Sequence, residues 1–90
     1  MSENRNRTAI ITGAGSGIGQ AIALAFAANG IDLVLAGRRS EPLEQVTDAV
    51  KRLGGSAISM PTDVTDRESA HQLADRALSE FGGTDILVNN

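Results

Sequence analysis

The stretch Thr12-Gly13-Ala14-Gly15-Ser16-Gly17-Ile18-Gly19 constrains this chain more than any other. The residues before it, Thr8-Ala9-Ile10-Ile11-Thr12, are β-branched or apolar and read as a buried strand. After it, Ile18, Ala21, Ile22, Ala25 and Phe26 recur at three- and four-residue spacing, the pattern of a helix with one buried stripe. A strand that turns through glycines into a helix makes an anion site. The helix N-terminus offers unpaired N–H groups and about half a positive charge, and glycines let a pyrophosphate approach the backbone. The spacing excludes two common versions of such a loop. A mononucleotide loop needs Gly, four residues, then Gly-Lys and Ser or Thr, and no Gly-Lys pair is present. The pattern Gly-x-Gly-x-x-Gly also fails, because Ile18 or Gln20 stands where its third glycine belongs. What stands is Thr-Gly-x-x-x-Gly-x-Gly. A tight turn with close helix packing is the plainer explanation. Yet every glycine costs backbone entropy on folding, and Gly13, Gly15, Gly17 and Gly19 are more than packing needs.

Beyond the loop the chain alternates. Asn29-Gly30 stops the first helix. Residues 31–36 form a second apolar run that ends at Gly37-Arg38-Arg39. Ser40 is placed to cap a second helix, with Pro42 tolerated in its first turn and Leu43, Val46, Val50 and Leu53 as its buried stripe. Gly54-Gly55 end it, and residues 57–60 make a third strand. Thr65 with Glu68 is a capping-box pattern for a third helix that buries Leu73, Ala74, Ala77, Leu78 and Phe81. Residues 85–88 make a fourth strand before Asn89-Asn90. Strands alternating with helices predict an α/β fold: a parallel sheet with right-handed crossovers, in the order 3-2-1-4 of a doubly wound, Rossmann-type sheet. Residues 1–7 read as a solvated tail and 8–90 as a partial dinucleotide-binding domain.

Composition narrows the class. Ninety residues suit one domain, which buries only roughly 60–65% of its unfolded surface. Aromatics are 2% of the chain, so the core must be built from Ala, Val, Leu and Ile. The net charge of -3 argues against a nucleic-acid partner, which calls for a basic face. No apolar run reaches the roughly 18 residues of a membrane helix, and the polar N-terminus lacks a signal peptide. The expectation is no membrane partner and a cytoplasmic location. With no Cys and His71 as the one histidine, no thiolate or multi-histidine metal site is expected. On the third helix, His71 reads as an exposed polar residue.

Three segments together resemble the short-chain dehydrogenase/reductase family: the glycine loop, Asp63-Val64, and Asp85-Ile86-Leu87-Val88-Asn89-Asn90. The resemblance covers the chain after its tail. It implies that Thr12, Gly13, Ser16, Gly17, Ile18 and Gly19 belong to the loop that holds a cofactor pyrophosphate. Asp63 would then receive the adenine amino group, Val64 would lie beside the adenine ring, and Asn90 would sit under the adenosine ribose. Asn89 would help tie the central strands together. Read without the family, Asp63 is an exposed loop acid and Asn89-Asn90 a turn.

The cofactor follows from the end of the second strand. A carboxylate roughly 20 residues past the glycine loop selects NAD by binding the ribose 2′-hydroxyl. Here the stretch reads Leu35-Ala36-Gly37-Arg38-Arg39, with no acid until Glu41. Arg38 and Arg39 are planar donors suited to a 2′-phosphate, and Gly37 leaves room for one. NADP is therefore expected over NAD, the alternative being that the two arginines form a solvated loop. Family members with this preference often carry a basic residue inside the glycine loop, where this chain has Ser16.

The family's chemistry is reversible hydride transfer between a nicotinamide and a carbonyl or alcohol, using a Tyr and a Lys in Tyr-x-x-x-Lys and a Ser. This chain has no Tyr, and Lys51 lies on the second helix, so no catalytic residue is assigned. The chain is expected to be the NADP(H)-binding portion of such an oxidoreductase, for example a 3-oxoacyl reductase-like enzyme. The alternative is a stand-alone, non-catalytic dinucleotide-binding or protein-interaction module. A small carbonyl or alcohol substrate is expected for the parent, with a homo-oligomer as a further possible state. The fourth strand would be an apolar edge that invites association.

Overall fold

The computed structural model describes residues 6–63 and 66–90. Its elements are β1 (Thr8–Ile11), α1 (Gly17–Ala28), β2 (Asp32–Gly37), α2 (Ser40–Arg52), β3 (Ala57–Pro61), α3 (Arg67–Phe81) and β4 (Ile86–Val88). The four strands form one sheet in the order β3-β2-β1-β4, and all three pairings are parallel. This is the expected Rossmann-type order.

Period-two alternation divides the strand residues between two cores. Ala9, Ile11, Leu33, Leu35 and Ala57 face α1 and α2, meeting Ala23, Ala27, Leu43, Val46 and Val50. Ile10, Val34 and Ala36 face the other way, onto Leu73 and Ala77 of α3. Strands buried on both faces explain why β1 and β2 are apolar without alternation. Backbone pairing reaches one residue into the expected tail, since the Asp32 amide donates to the Arg7 carbonyl. No helix among the described residues is long and apolar enough to cross a membrane.

Two helices bury only part of the stripe that their apolar spacing predicts: Ile22 and Phe26 of α1 and Leu73, Ala77 and Phe81 of α3 pack against the core, and other stripe positions do not. In α1 the buried residues are Gly19, Ala23 and Ala27, while Ala21 and Ala25 are exposed and Ile18 is 68% exposed. The helix lies so close to the backbone beneath it that the smallest side chains make the contact. In α3, Leu73 and Ala77 are buried and Phe81 partly so, whereas Ala74 and Leu78 are exposed.

The caps also differ. Ser40 is the first residue of α2, and Arg39 holds the cap position without a side-chain bond. Glu41 in the first turn and Lys51 and Arg52 in the last match the helix dipole instead. Thr65 lies outside the described residues, as does Val64; the N-cap of α3 is Asp66, whose carboxylate accepts from the Glu68 amide at 3.0 Å.

β4 lies at one edge of the sheet, and Leu87 on it is 65% exposed. Sedimentation of the 90-residue chain at high concentration is expected to show dimers or larger species paired through this edge. A monomer throughout would contradict that expectation.

Candidate functional site

In a parallel sheet every strand points the same way, so all four C-terminal ends gather at one end. The glycine loop, Gly37-Arg38-Arg39, Thr62-Asp63 and Asn89-Asn90 each follow one of these ends. Residues far apart in sequence are thereby brought together, at the end of the sheet where open α/β folds bind ligands.

The loop is built on Ser16. Its hydroxyl caps α1 by accepting from the Gly19 amide at 3.1 Å and donates to the Gly13 carbonyl at 2.8 Å. The Asn90 side chain closes the ring, with Nδ2 donating to the same Ser16 oxygen at 2.9 Å and to the Gly13 carbonyl at 3.2 Å. Gly13 itself has φ +61, a left-handed conformation that favours glycine. Ser16 thus has a structural task as the cap of α1, whereas the caps expected from sequence are Ser40 and Thr65.

Thr12 joins β1 to β4. Its amide donates to the Val88 carbonyl at 3.0 Å, and its hydroxyl accepts from the Asn90 amide at 3.1 Å. The same hydroxyl lies 3.1 Å from Asn89 Oδ1 and 3.3 Å from the Val88 carbonyl, either of which can take its proton. Asn89 thus ties the central strands as expected, whereas Asn90 holds the glycine loop. Thr12→Val is expected to destabilise the chain by about 1–3 kcal/mol, because it strands polar groups next to a side chain that is 5% exposed. Urea denaturation checks this, and an unchanged midpoint would contradict it.

The amides of this loop fall into two sets. Those of Ala14, Ser16, Gly19 and Gln20 have protein partners. Among the described residues, those of Gly13, Gly15, Gly17 and Ile18 have none. They sit in the turn and in the first two positions of α1, where orphan N–H groups and the dipole together favour an anion.

Beside them opens a cleft of about 250 Å³, lined by Gly13, Gly15, Ser16, Gly37, Arg38, Arg39, Pro42 and Leu43. It brings the glycine loop and the arginine pair to one place. Two of its walls had no local signal. A Cβ on Gly15 would lie 2.8 Å from the Pro42 Cβ, so the first turn of α2 presses on the loop. A Cβ on Gly37 would lie 3.2 Å from Leu43 Cδ2, so α2 packs closely against that glycine. Arg38 and Arg39 are both exposed, and Arg38 Nη2 lies 3.8 Å from Asp63 Oδ1. Ile18 is exposed at the mouth of α1. His71 is exposed on α3, and no group of metal-ligating side chains occurs among the described residues.

Comparison with known proteins agrees with this geometry. The family model for short chain dehydrogenases matches residues 7–90. The chain is 45% identical over 86 residues to an uncharacterized oxidoreductase of Listeria monocytogenes, covering 96% of this chain and 35% of that protein. It is 43% identical over 84 residues to the 7alpha-hydroxysteroid dehydrogenase of Escherichia coli, covering 93% and 33%. Among solved structures, a 7alpha-hydroxysteroid dehydrogenase complexed with NADH superposes with a TM-score of 0.91 at 42% identity, over 96% of this chain and 34% of that one. The L-sorbose reductase of Gluconobacter frateurii complexed with NADPH gives 0.88 at 37% identity, over 96% and 33%. The chain spans about a third of the length of these relatives. Matching over nearly its whole length, in sequence and in fold, it belongs to the short-chain dehydrogenase family.

Proposed function

We propose that this chain is the NADP(H)-binding portion of an oxidoreductase that interconverts a carbonyl and an alcohol. One observation carries the reading: a single cleft, with no carboxylate in its lining, joins a glycine loop with unpartnered amides to two arginines. The donor set fits the cofactor. The Gly15, Gly17 and Ile18 amides suit a pyrophosphate at a helix N-terminus. Arg38 and Arg39 suit a 2′-phosphate, which brings roughly two negative charges. When bound, the cofactor supplies or accepts the hydride. The residues of this chain hold its adenosine side: Thr12, Gly13 and Gly19 shape the loop, and Ser16 and Asn90 lock it. Asp63 is assigned to the adenine amino group, and Val64 to the neighbouring ring face.

Relatives complexed with NADH and with NADPH both occur, so the cofactor preference rests on the arginines. Hydroxysteroid and 3-ketoacyl-ACP chemistry both appear among the matched structures, so the substrate is left at the level of a carbonyl or alcohol. The test is an assay of the whole protein for NADPH oxidation against ketosteroid, ketoacyl and ketose substrates. Turnover of any of them supports the reading. Tight NADPH binding without turnover would favour the non-catalytic module.

A further inference from the structure

We propose that Asp63 sets how strongly this site prefers a 2′-phosphorylated nucleotide, by competing with that phosphate for Arg38; the inference rests on the reading of Arg38 given above. The pair is a product of the sheet. Arg38 follows β2 and Asp63 follows β3, two adjacent strands in which Gly37 stands opposite Pro61. The Thr62 amide donates to the Gly37 carbonyl at 2.6 Å, carrying the pairing one residue further. The two side chains therefore leave the sheet side by side, with Arg38 Nη2 3.8 Å from Asp63 Oδ1.

Both partners are solvent-exposed, at 75% and 55%, so the pair is weak and releasable. Arg38 also lines the cleft shared with Gly13, Gly15 and Ser16, and a second one beside Ser40, Glu41 and Gln45. A guanidinium fork turned toward Asp63 is not free to hold a phosphate with the same edge. The Asp63 charge also repels any phosphate that Arg38 attracts. Both effects act in one direction: Asp63 lowers the affinity for a 2′-phosphate and leaves a 2′-hydroxyl nearly untouched. Glu41 is the other carboxylate beside these clefts, and it stays constant in the comparison.

Adenosine 2′,5′-bisphosphate and 5′-AMP differ only by the 2′-phosphate, so the ratio of their affinities removes whatever Asp63 does for the shared adenosine. Calorimetric titration of the whole protein is expected to show this ratio rising about two- to fivefold in Asp63→Asn, the range of an exposed ion pair. Asp63→Ser, a second neutral replacement, gives the same rise. The rise shrinks at high salt and vanishes when Arg38→Gln is also present. If Arg38→Gln lowers the ratio but Asp63→Asn leaves it unchanged or lowers it, the competition is refuted and the NADP reading stands. If Arg38→Gln alone leaves the ratio unchanged, both fall.

Discussion

Gly19→Ala is expected to cost the chain about 3 kcal/mol of folding stability or more, the upper range for forcing atoms into a packed site. A Cβ at Gly19 would run into the Gly13 carbonyl oxygen and lie 2.9 Å from the Ala14 Cα. Both are backbone atoms of the loop, held by Ser16 and Asn90, so no flexible side chain can move aside. Small domains have only about 5–15 kcal/mol in total, so the loss shows directly as a lower midpoint in urea denaturation. Gly17→Ala is the control. Nothing lies within 4 Å of its Cβ position, and it is the first residue of α1. Stability there should be unchanged or rise by up to about 1 kcal/mol. Equal losses in the two variants would mean that close approach of α1 to the loop is not the cause.

Arg38→Asp is expected to lower NADPH affinity about tenfold to a hundredfold relative to NADH, since a hydrogen bond to a charged group is worth roughly 1.5–3 kcal/mol. The sign has two causes. The donor to the phosphate is lost, and a carboxylate replaces it where it repels the phosphate and can accept from a ribose 2′-hydroxyl. Fluorescence titration with both reduced cofactors measures the ratio. Arg38 is exposed at the rim of the cleft, so folding should survive the change. A ratio equal to that of the unsubstituted protein would remove Arg38 from the site.

The fold was legible because its punctuation is local. Glycines mark the ends of β1, β2 and all three helices, and the order of elements dictates the parallel sheet. The face of α1 was only partly legible. Of the stripe Ile18, Ala21, Ile22, Ala25 and Phe26, Ile22 and Phe26 pack against the core, but the fully buried residues are Gly19, Ala23 and Ala27. Helix-to-backbone distance decided this, and spacing carries no information about it. The caps failed for a related reason. Ser16 and Asp66 sit at helix starts whose position depends on how the preceding loop is anchored.

The site divides along the same line. The glycine loop and the arginine pair were visible as residue types at defined places along the chain. Their meeting in one cleft, with Pro42 and Leu43 as walls, depends on contacts between β1, β2 and α2 that no short segment encodes. Asn90 gained a different task. Expected under the adenosine ribose, it also bonds the glycine loop through its side chain. Likewise, Gly37, foreseen as space for a phosphate, has Leu43 packed closely beside it, with Cδ2 3.2 Å from where a Cβ would stand.

The central claim is that the cleft between the glycine loop and Arg38-Arg39 holds a 2′-phosphorylated dinucleotide. The most direct measurement is the dissociation constant of the unsubstituted whole protein for NADPH and for NADH in one buffer. NADPH is expected to bind tighter by about tenfold or more, as one charged hydrogen bond to the extra phosphate requires. Equal affinities, or tighter binding of NADH, would contradict the claim.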